Sequence, residues 1–316
     1  MSKKVCLVTG GAGFIGSHIV EALLRKNMSV RVFDNLSTGF KSNLKSFKGD
    51  LTLQKGDIRN FSAIKKAVKG ASYIFHLAAN RAVLRSVDNP LETNDVNVTG
   101  TLNLLIAARD AKVKRVIFSS SSSVYGDTAK FPSVETDRPL PESPYAASKI
   151  MGEYYCNQFT KLYGLSTISL RYFNVFGPRQ NPESKYSAVI PIFIDCLLKK
   201  KSPEIHWDGK QSRDFSYVDN VVEGNLCAMT APEKASGQAF NIACHEEYSI
   251  NDIFYSLMKI MKVKGIKPTY FPKRAGDVRR TFADISKAKS LLRFKPQTRF
   301  YPGLEKTVEW FLDGRK

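Results

Sequence analysis

The chain has 316 residues, 43% hydrophobic and 11% aromatic, enough for a well-packed α/β unit or a nucleotide domain with a smaller cap. No apolar stretch approaches the roughly 18 residues of a membrane span. The five cysteines form no CxxC pair and the four histidines do not cluster, which argues against a disulfide framework or a metal site. The net charge of +19 comes with no RNA- or DNA-binding motif, so it reads as a solvated basic surface rather than a nucleic-acid interface.

The opening Met1-Ser2-Lys3-Lys4 runs straight into a β-branched strand, which predicts no secretory leader and a cytoplasmic protein with reduced, buried cysteines. That strand, Val5 to Thr9, empties into Gly10-Gly11-Ala12-Gly13-Phe14-Ile15-Gly16, and an amphipathic helix begins at once. Glycines at this spacing let backbone N–H groups approach a pyrophosphate, and the helix N-terminus adds partial positive charge. Asp34 ends the next apolar strand, Val30-Arg31-Val32-Phe33, where a carboxylate accepts both hydroxyls of an adenosine ribose. The kit predicts a bound dinucleotide, NAD rather than NADP, because Asp34 repels a 2′-phosphate.

Further strands are predicted near 4–9, 29–34, 51–55, 72–77, 114–119 and 166–172, and helices near 14–26, 60–69, 92–112 and 145–163. Such alternation implies a doubly wound parallel sheet covered on both faces, with ligands beyond the carboxyl ends of its strands. The rhythm breaks from about residue 175. Short strands near 204–207, 239–242 and 269–271 and helices near 249–262 and 284–292 predict an α+β cap interleaved with the last sheet elements.

Two segments carry chemistry. Ser119-Ser120-Ser121-Ser122-Ser123 directly follows the strand Arg115-Val116-Ile117-Phe118, so it falls at the sheet edge where a nicotinamide would lie. Ser143-Pro144-Tyr145-Ala146-Ala147-Ser148-Lys149 opens a helix with Tyr145 and Lys149 one turn apart on one face. An ammonium there is expected to lower the phenol's pKa and make it a general base. Tyr255 and Lys259 share the interval inside an ordinary amphipathic helix, and that pair is assigned to packing and surface.

Together these segments resemble the extended short-chain dehydrogenase/reductase family, in its nucleotide-sugar epimerase branch. The resemblance spans the chain through the glycine turn, Asp34-Asn35-Leu36-Ser37-Thr38-Gly39, Gly56-Asp57-Ile58, His76-Leu77-Ala78-Ala79, Asn97-Val98-Thr99-Gly100-Thr101, Tyr145/Lys149 and Arg171-Tyr172-Phe173-Asn174. Downstream, Ser212-Arg213-Asp214-Phe215 and Arg274-Ala275-Gly276-Asp277 look like the family's uridine-diphosphate contacts.

The resemblance implies a Rossmann-type NAD-binding domain over 1–175, joined by sheet elements from about 210–245, and a smaller α+β substrate-binding domain over 176–316. It implies NAD contacts at Gly10, Gly13, Phe14, Ile15, Gly16, Asp34, Asn35, Ser37, Thr38 and Gly39, and at Asn97, Tyr145, Lys149 and Tyr172. Asp57 and Ile58 flank adenine, Leu77, Ala78 and Ala79 line the cleft, and Arg81 stands where relatives put a lysine near the cofactor phosphate. Ser121, with Ser122 and Ser123 beside it, bonds the reacting sugar oxygen next to Tyr145. Asn174, Arg213 and Arg274 hold the diphosphate, Asp277 the uridine ribose, and Val189, His206 and Thr281 complete the substrate set. A homodimer through the helices near 92–112 and 145–163 is implied as well.

The chemistry implied is inversion at C4 of a UDP-sugar. A 4,6-dehydratase would carry Thr-Asp-Glu where this chain has Ser121-Ser122-Ser123, and a nucleotide-glucuronate decarboxylase a glutamate at 123. A glucuronate 4-epimerase usually has Arg-Phe-Phe-Thr in place of Arg171-Tyr172-Phe173-Asn174. A silent dinucleotide sensor would have no need of Ser121, Tyr145 and Lys149. For the sugar, Thr281 stands where galactose-restricted epimerases carry tyrosine, leaving room for a 2-acetamido group. Phe176-Gly177-Pro178-Arg179-Gln180-Asn181-Pro182 and Tyr186-Ser187-Ala188-Val189-Ile190-Pro191 resemble the same N-acetylhexosamine group. Arg81 departs from that group's glycine and keeps a uronate or modified amino sugar open as the substrate.

Overall fold

The first strand, β1 (Val5–Thr9), pairs in parallel with β2 (Ser29–Asp34) on one side and with β4 (Tyr73–His76) on the other. β3 (Leu51–Lys55) flanks β2, β5 (Arg115–Ser121) flanks β4, and β6 (Thr167–Tyr172) and β11 (Gln238–Ile242) follow, giving the order β11-β6-β5-β4-β1-β2-β3. All six neighbouring pairs are parallel. The chain reverses direction of travel across the sheet between β1 and β4, which opens a crevice beyond their carboxyl ends. The computed structural model describes residues 4–81, 83–181, 188–273 and 277–314.

Apolar residues of both parities along each strand are buried, as a sheet covered on both faces requires. One face packs Cys6, Val8, Val30 and Phe240 against α1 (Phe14–Arg25) and α8 (Val218–Thr230). The other packs Leu7, Phe33, Ile74 and Phe118 against α2 (Phe61–Val68), α5 (Gly100–Asp110) and α6 (Pro144–Tyr163). α6 is set by sequence at both ends: Ser143 caps it by accepting from the Ala146 N–H, Pro144 occupies its first turn, and Gly164 ends it at φ 67°.

The predicted helix over 92–112 is broken in the structure. After α3 (Val83–Asp88), α4 (Pro90–Asn94) runs into a π-helical turn over Asp95–Thr99 before α5 begins. Four helices went unread in the sequence: α3, α7 (Val189–Leu198), α8 and α10 (Phe300–Asp313). α7 is apolar nearly all round and α8 buries most of its circumference, so neither shows a single-sided period, whereas α10 buries Phe300, Leu304, Val308 and Phe311 along one side. Of the helix predicted near 284–292, residues 286–287 are α-helical and Ala288–Leu292 continue as a π-helical turn.

The remaining elements form the cap. β7 (Val175–Phe176) pairs with β10 (Ser216–Tyr217), β8 (Glu204–His206) with β13 (Thr269–Phe271), and β9 (Ser212–Asp214) lies between β12 (Glu247–Ser249) and β14 (Arg280–Thr281). With α7, α9 (Ile250–Ile260) and α10 they enclose a separate apolar cluster that includes Phe176, Phe193, Phe254 and Phe300. Among the described residues no helix is long and apolar enough to cross a membrane, and no group of three or more His, Cys, Asp and Glu is placed to hold a metal.

Candidate active site

A cleft of about 690 Å³ runs over the carboxyl ends of the strands, from the glycine turn to Arg213 and Thr281 in the cap. Its floor begins with Gly10, at φ 70°, where a Cβ would stand 2.7 Å from the Ala78 nitrogen. A Cβ on Gly16 would lie 2.2 Å from the Gly10 carbonyl oxygen, so α1 packs on the turn only through glycine. At Gly13 the nearest such atom is 3.2 Å away, which leaves the backbone open to the cleft.

Asp34 is buried at the tip of β2 and accepts from the Ala12 N–H (3.0 Å) and the Leu36 N–H (2.8 Å), one to each carboxylate oxygen. Each oxygen keeps a lone pair for a ribose hydroxyl. Gly39 brings the 35–39 loop down on this turn, where a Cβ would sit 3.0 Å from Asp34 Oδ2. Phe14, Ile15, Asn35, Ser37, Thr38, Asp57, Ile58, Leu77, Ala78 and Ala79 line the same end of the cleft. Arg59 donates to both Asp57 oxygens and holds that carboxyl down to about 2. A backbone cradle, a helix N-terminus and an acid at the second strand tip fit a dinucleotide with a free 2′-hydroxyl.

At the other end, β5 carries the serine run as strand as far as Ser121, so successive side chains alternate across the sheet. Ser121, Ser122, Ser123, Tyr145, Lys149, Tyr172, Asn174, Arg213 and Thr281 line the cleft there. Ser121 Oγ accepts from Ser123 Oγ (3.0 Å) and meets the Tyr145 hydroxyl in a hydrogen bond. Lys149 Nζ donates to the Ser119 carbonyl at 2.8 Å and lies 5.8 Å from the centroid of the Tyr145 ring.

The electrostatics differ from the expectation of a lowered phenol pKa. Removal from water raises the Tyr145 pKa above its ordinary value, against the Ser121 hydrogen bond and the Arg81 charge. Lys149 spends its ammonium on the strand carbonyl instead of the phenol. Burial pushes Lys149 itself down to about 8, opposed by Glu153 and Cys156.

Other expected residues stand differently. Asn97 is buried on the π-helical turn, accepting from the Asn80 N–H (2.7 Å) and donating to the Asn80 carbonyl (3.1 Å) and Ser148 Oγ (2.9 Å). It ties α6 to the segment after β4 and does not line the cleft. Asn174, at φ 32°, donates to the Asp214 carbonyl (3.0 Å) and Thr281 Oγ1 (2.9 Å). Arg213 donates to the Ser212 carbonyl (2.8 Å), with Asp277 the foremost opposite charge beside it. Val189 opens α7 and His206 stacks on Phe271, both away from the cleft lining. Arg274 lies outside the described residues, as do Pro182, Tyr186 and Ser187.

The cleft also holds residues that sequence reasoning passed over. Asn80, Glu142, and the Arg85–Glu92 ion pair (3.3 Å) line it. Asn80 directly follows Leu77-Ala78-Ala79 and Glu142 precedes the Ser143 cap, so their positions next to recognised segments were the available signal.

Comparison with known proteins gives one consistent neighbourhood. Residues 6–243 match the NAD dependent epimerase/dehydratase family. A UDP-glucose 4-epimerase of Mycolicibacterium smegmatis is 38% identical over 311 residues, 96% of this chain and 97% of that one. Among solved structures, a UDP-N-acetylglucosamine 4-epimerase from Methanobrevibacter ruminantium, in complex with UDP-N-acetylmuramic acid, superposes with a TM-score of 0.94 at 41% identity, covering 99% of this chain and 100% of that one. A UDP-glucose 4-epimerase from Thermotoga maritima with UDP-glucose gives 0.94 at 37%, again over 99% and 100%.

Proposed function

The chain belongs to the NAD dependent epimerase/dehydratase family, and we propose that it is a UDP-N-acetylglucosamine/UDP-N-acetylgalactosamine 4-epimerase. The observation that carries the reading is the small Thr281 beside Asn174 in the wall of the cleft that Ser121 and Tyr145 also line. A threonine there leaves space for a 2-acetamido group that a tyrosine would fill. The likeness to a UDP-N-acetylglucosamine 4-epimerase supports the same sugar. The sheet with its glycine turn takes the cofactor, and the cap from about residue 176 takes the nucleotide sugar.

NAD would be held by the glycine turn and Asp34 and would supply a hydride acceptor and, once reduced, a hydride donor. The chain's own groups handle the proton. Tyr145 takes it from the 4-hydroxyl as phenolate and gives it back, while Ser121 holds the same oxygen by a hydrogen bond. Because burial raises this phenol, the positive charges that counter it, Arg81 among them, govern how readily it ionises. Arg213 grips the diphosphate, with Asn174 bracing Asp214 and Thr281 beside it, and leaves the 4-keto sugar free to turn between the two transfers.

Assay of the purified enzyme with UDP-N-acetylglucosamine, UDP-glucose and UDP-glucuronate tests the reading. Turnover of the acetylated sugar at least equal to that of UDP-glucose supports it. Turnover of UDP-glucose alone shifts the assignment to a UDP-glucose 4-epimerase, and of the uronate alone to Arg81 as the selecting residue.

The same reading includes a cytoplasmic homodimer. Val87 (60% exposed), Leu91 (78%), Tyr154 (54%) and Leu162 (67%) are exposed apolar side chains on α3, α4 and α6 that support a dimer interface.

A further inference from the structure

Glu153 is a buried carboxylate for which the proposed chemistry has no use. It lies on α6 one turn beyond Lys149 and two beyond Tyr145, facing the sheet. A carboxylate in that position is costly unless it is paired and hydrogen-bonded. Here it is both. Arg171 on β6 grips it bidentately, Nε to Oε1 at 2.9 Å and a terminal nitrogen to Oε2 at 2.7 Å, and Ser120 on β5 donates to Oε1 at 2.5 Å.

Ser120 and Arg171 are direct partners across the β5–β6 ladder. One carboxylate therefore clips two neighbouring strands to α6 at a single register. The next residues along those strands, Ser121 and Tyr172, are also partners and line the cleft. The clip thus lies one residue short of the place where Ser121 must meet Tyr145. Arg171 is held from behind by the Tyr125 ring, 4.8 Å from its guanidinium carbon, and Tyr125 donates to Asn241 Oδ1 at 2.7 Å.

We propose that Glu153 is a positioning residue for the reaction, fixing the end of β5 against α6 so that Ser121 reaches Tyr145, with its carboxyl group one helical turn from Lys149. The proposal rests on the epimerase reading of the site. The groups facing Lys149 are Tyr145, Glu153 and Cys156 from α6, His76 from β4, and the Ser119 carbonyl and Phe118 ring from β5. His76 is held neutral by burial and Cys156 is pushed up to about 12, which leaves the Glu153 carboxyl as the acidic partner in this set. Among the described residues, Lys149, Arg171 and Lys287 are the cations that bear on Glu153.

The experiment compares the pH dependence of kcat in wild type, Glu153→Gln and Glu153→Asp. Lys149 lines the cofactor cleft and loses its charge as pH rises, so NAD retention, and wild-type activity with it, falls on an alkaline limb near its pKa of about 8. Removing the neighbouring anion lowers that pKa, and Glu153→Gln moves the limb to lower pH by about one unit or more. Glu153→Asp keeps the limb in place but lowers kcat severalfold at unchanged KM, because the shorter side chain draws back from Ser120 and Arg171. Retention of bound NAD on desalting across the same pH range reads the Lys149 charge without turnover, so it stands even if no UDP-sugar reacts. A folded Glu153→Gln with a wild-type limb and wild-type NAD retention overturns the proposal. If that variant does not fold, Glu153→Asp decides: wild-type kcat, or a displaced limb, overturns it.

Discussion

Thr281→Tyr separates two roles that the structure gives to one side chain. Thr281 Oγ1 accepts from Asn174 Nδ2 at 2.9 Å and helps keep Asn174 at its positive φ of 32°, while its small bulk leaves the cleft open. Tyrosine loses the hydrogen bond, worth about 0.5–1.5 kcal/mol, and affects both sugars alike. For the acetylated sugar it adds a clash in a packed site, about 1–3 kcal/mol or more. At about 1.4 kcal/mol per tenfold, UDP-N-acetylglucosamine should lose roughly 10- to 1,500-fold in kcat/KM and UDP-glucose roughly 2- to 10-fold. Thr281→Val supplies the control, since it removes the hydroxyl at nearly constant volume; both sugars should then lose about 2- to 10-fold. The assay is steady-state epimerisation of each UDP-sugar by the three proteins. Equal losses for the two sugars in the tyrosine variant would refute the steric reasoning, and no loss in the valine variant would refute the Asn174 coupling.

Three other outcomes are expected. Tyr145→Phe should lower kcat by about 10²–10⁴-fold with NAD still bound, whereas Tyr255→Phe, 60% exposed on α9, should be silent in the same assay. Acid should destabilise the fold through two buried histidines, His18 and His76, whose pKa values are pushed down to about 4 and about 3. The unfolded chain takes up these protons near pH 6.5 and the folded one does not, so between pH 7 and pH 5 each should cost about 2 kcal/mol, read as a lower urea midpoint; an unchanged midpoint contradicts this. Light scattering at micromolar concentration should give a dimer mass, and Leu91→Glu should lower it; a monomeric wild type removes the interface on α3, α4 and α6.

The family and the position of the cleft were legible in the sequence because they depend on short spacings. The glycine turn, Asp34 one strand later and the Tyr145–Lys149 turn each lie within one or two elements, where chain geometry alone decides which groups are adjacent. The alternation of strands and helices likewise carried the sheet, since right-handed crossovers leave few ways to assemble it. The π-helical turn over Asp95–Thr99 was not legible, and with it the change of Asn97 from an expected cofactor contact to a brace on Asn80 and Ser148.

Five identical serines gave no sign that Ser120 would turn to a buried carboxylate while Ser121 faces the cleft. That distinction exists only once β5, β6 and α6 are packed and the side chains of one strand alternate between two different environments. Nor could spacing foretell the Tyr145 phenol. Tyr145 and Lys149 are neighbours by sequence, yet the ammonium bonds the Ser119 carbonyl and the phenol is raised by burial. Adjacency along a helix follows from the backbone, but the charge state of a group depends on the water and charges that remote segments remove from it or bring to it, and those are set by the tertiary structure.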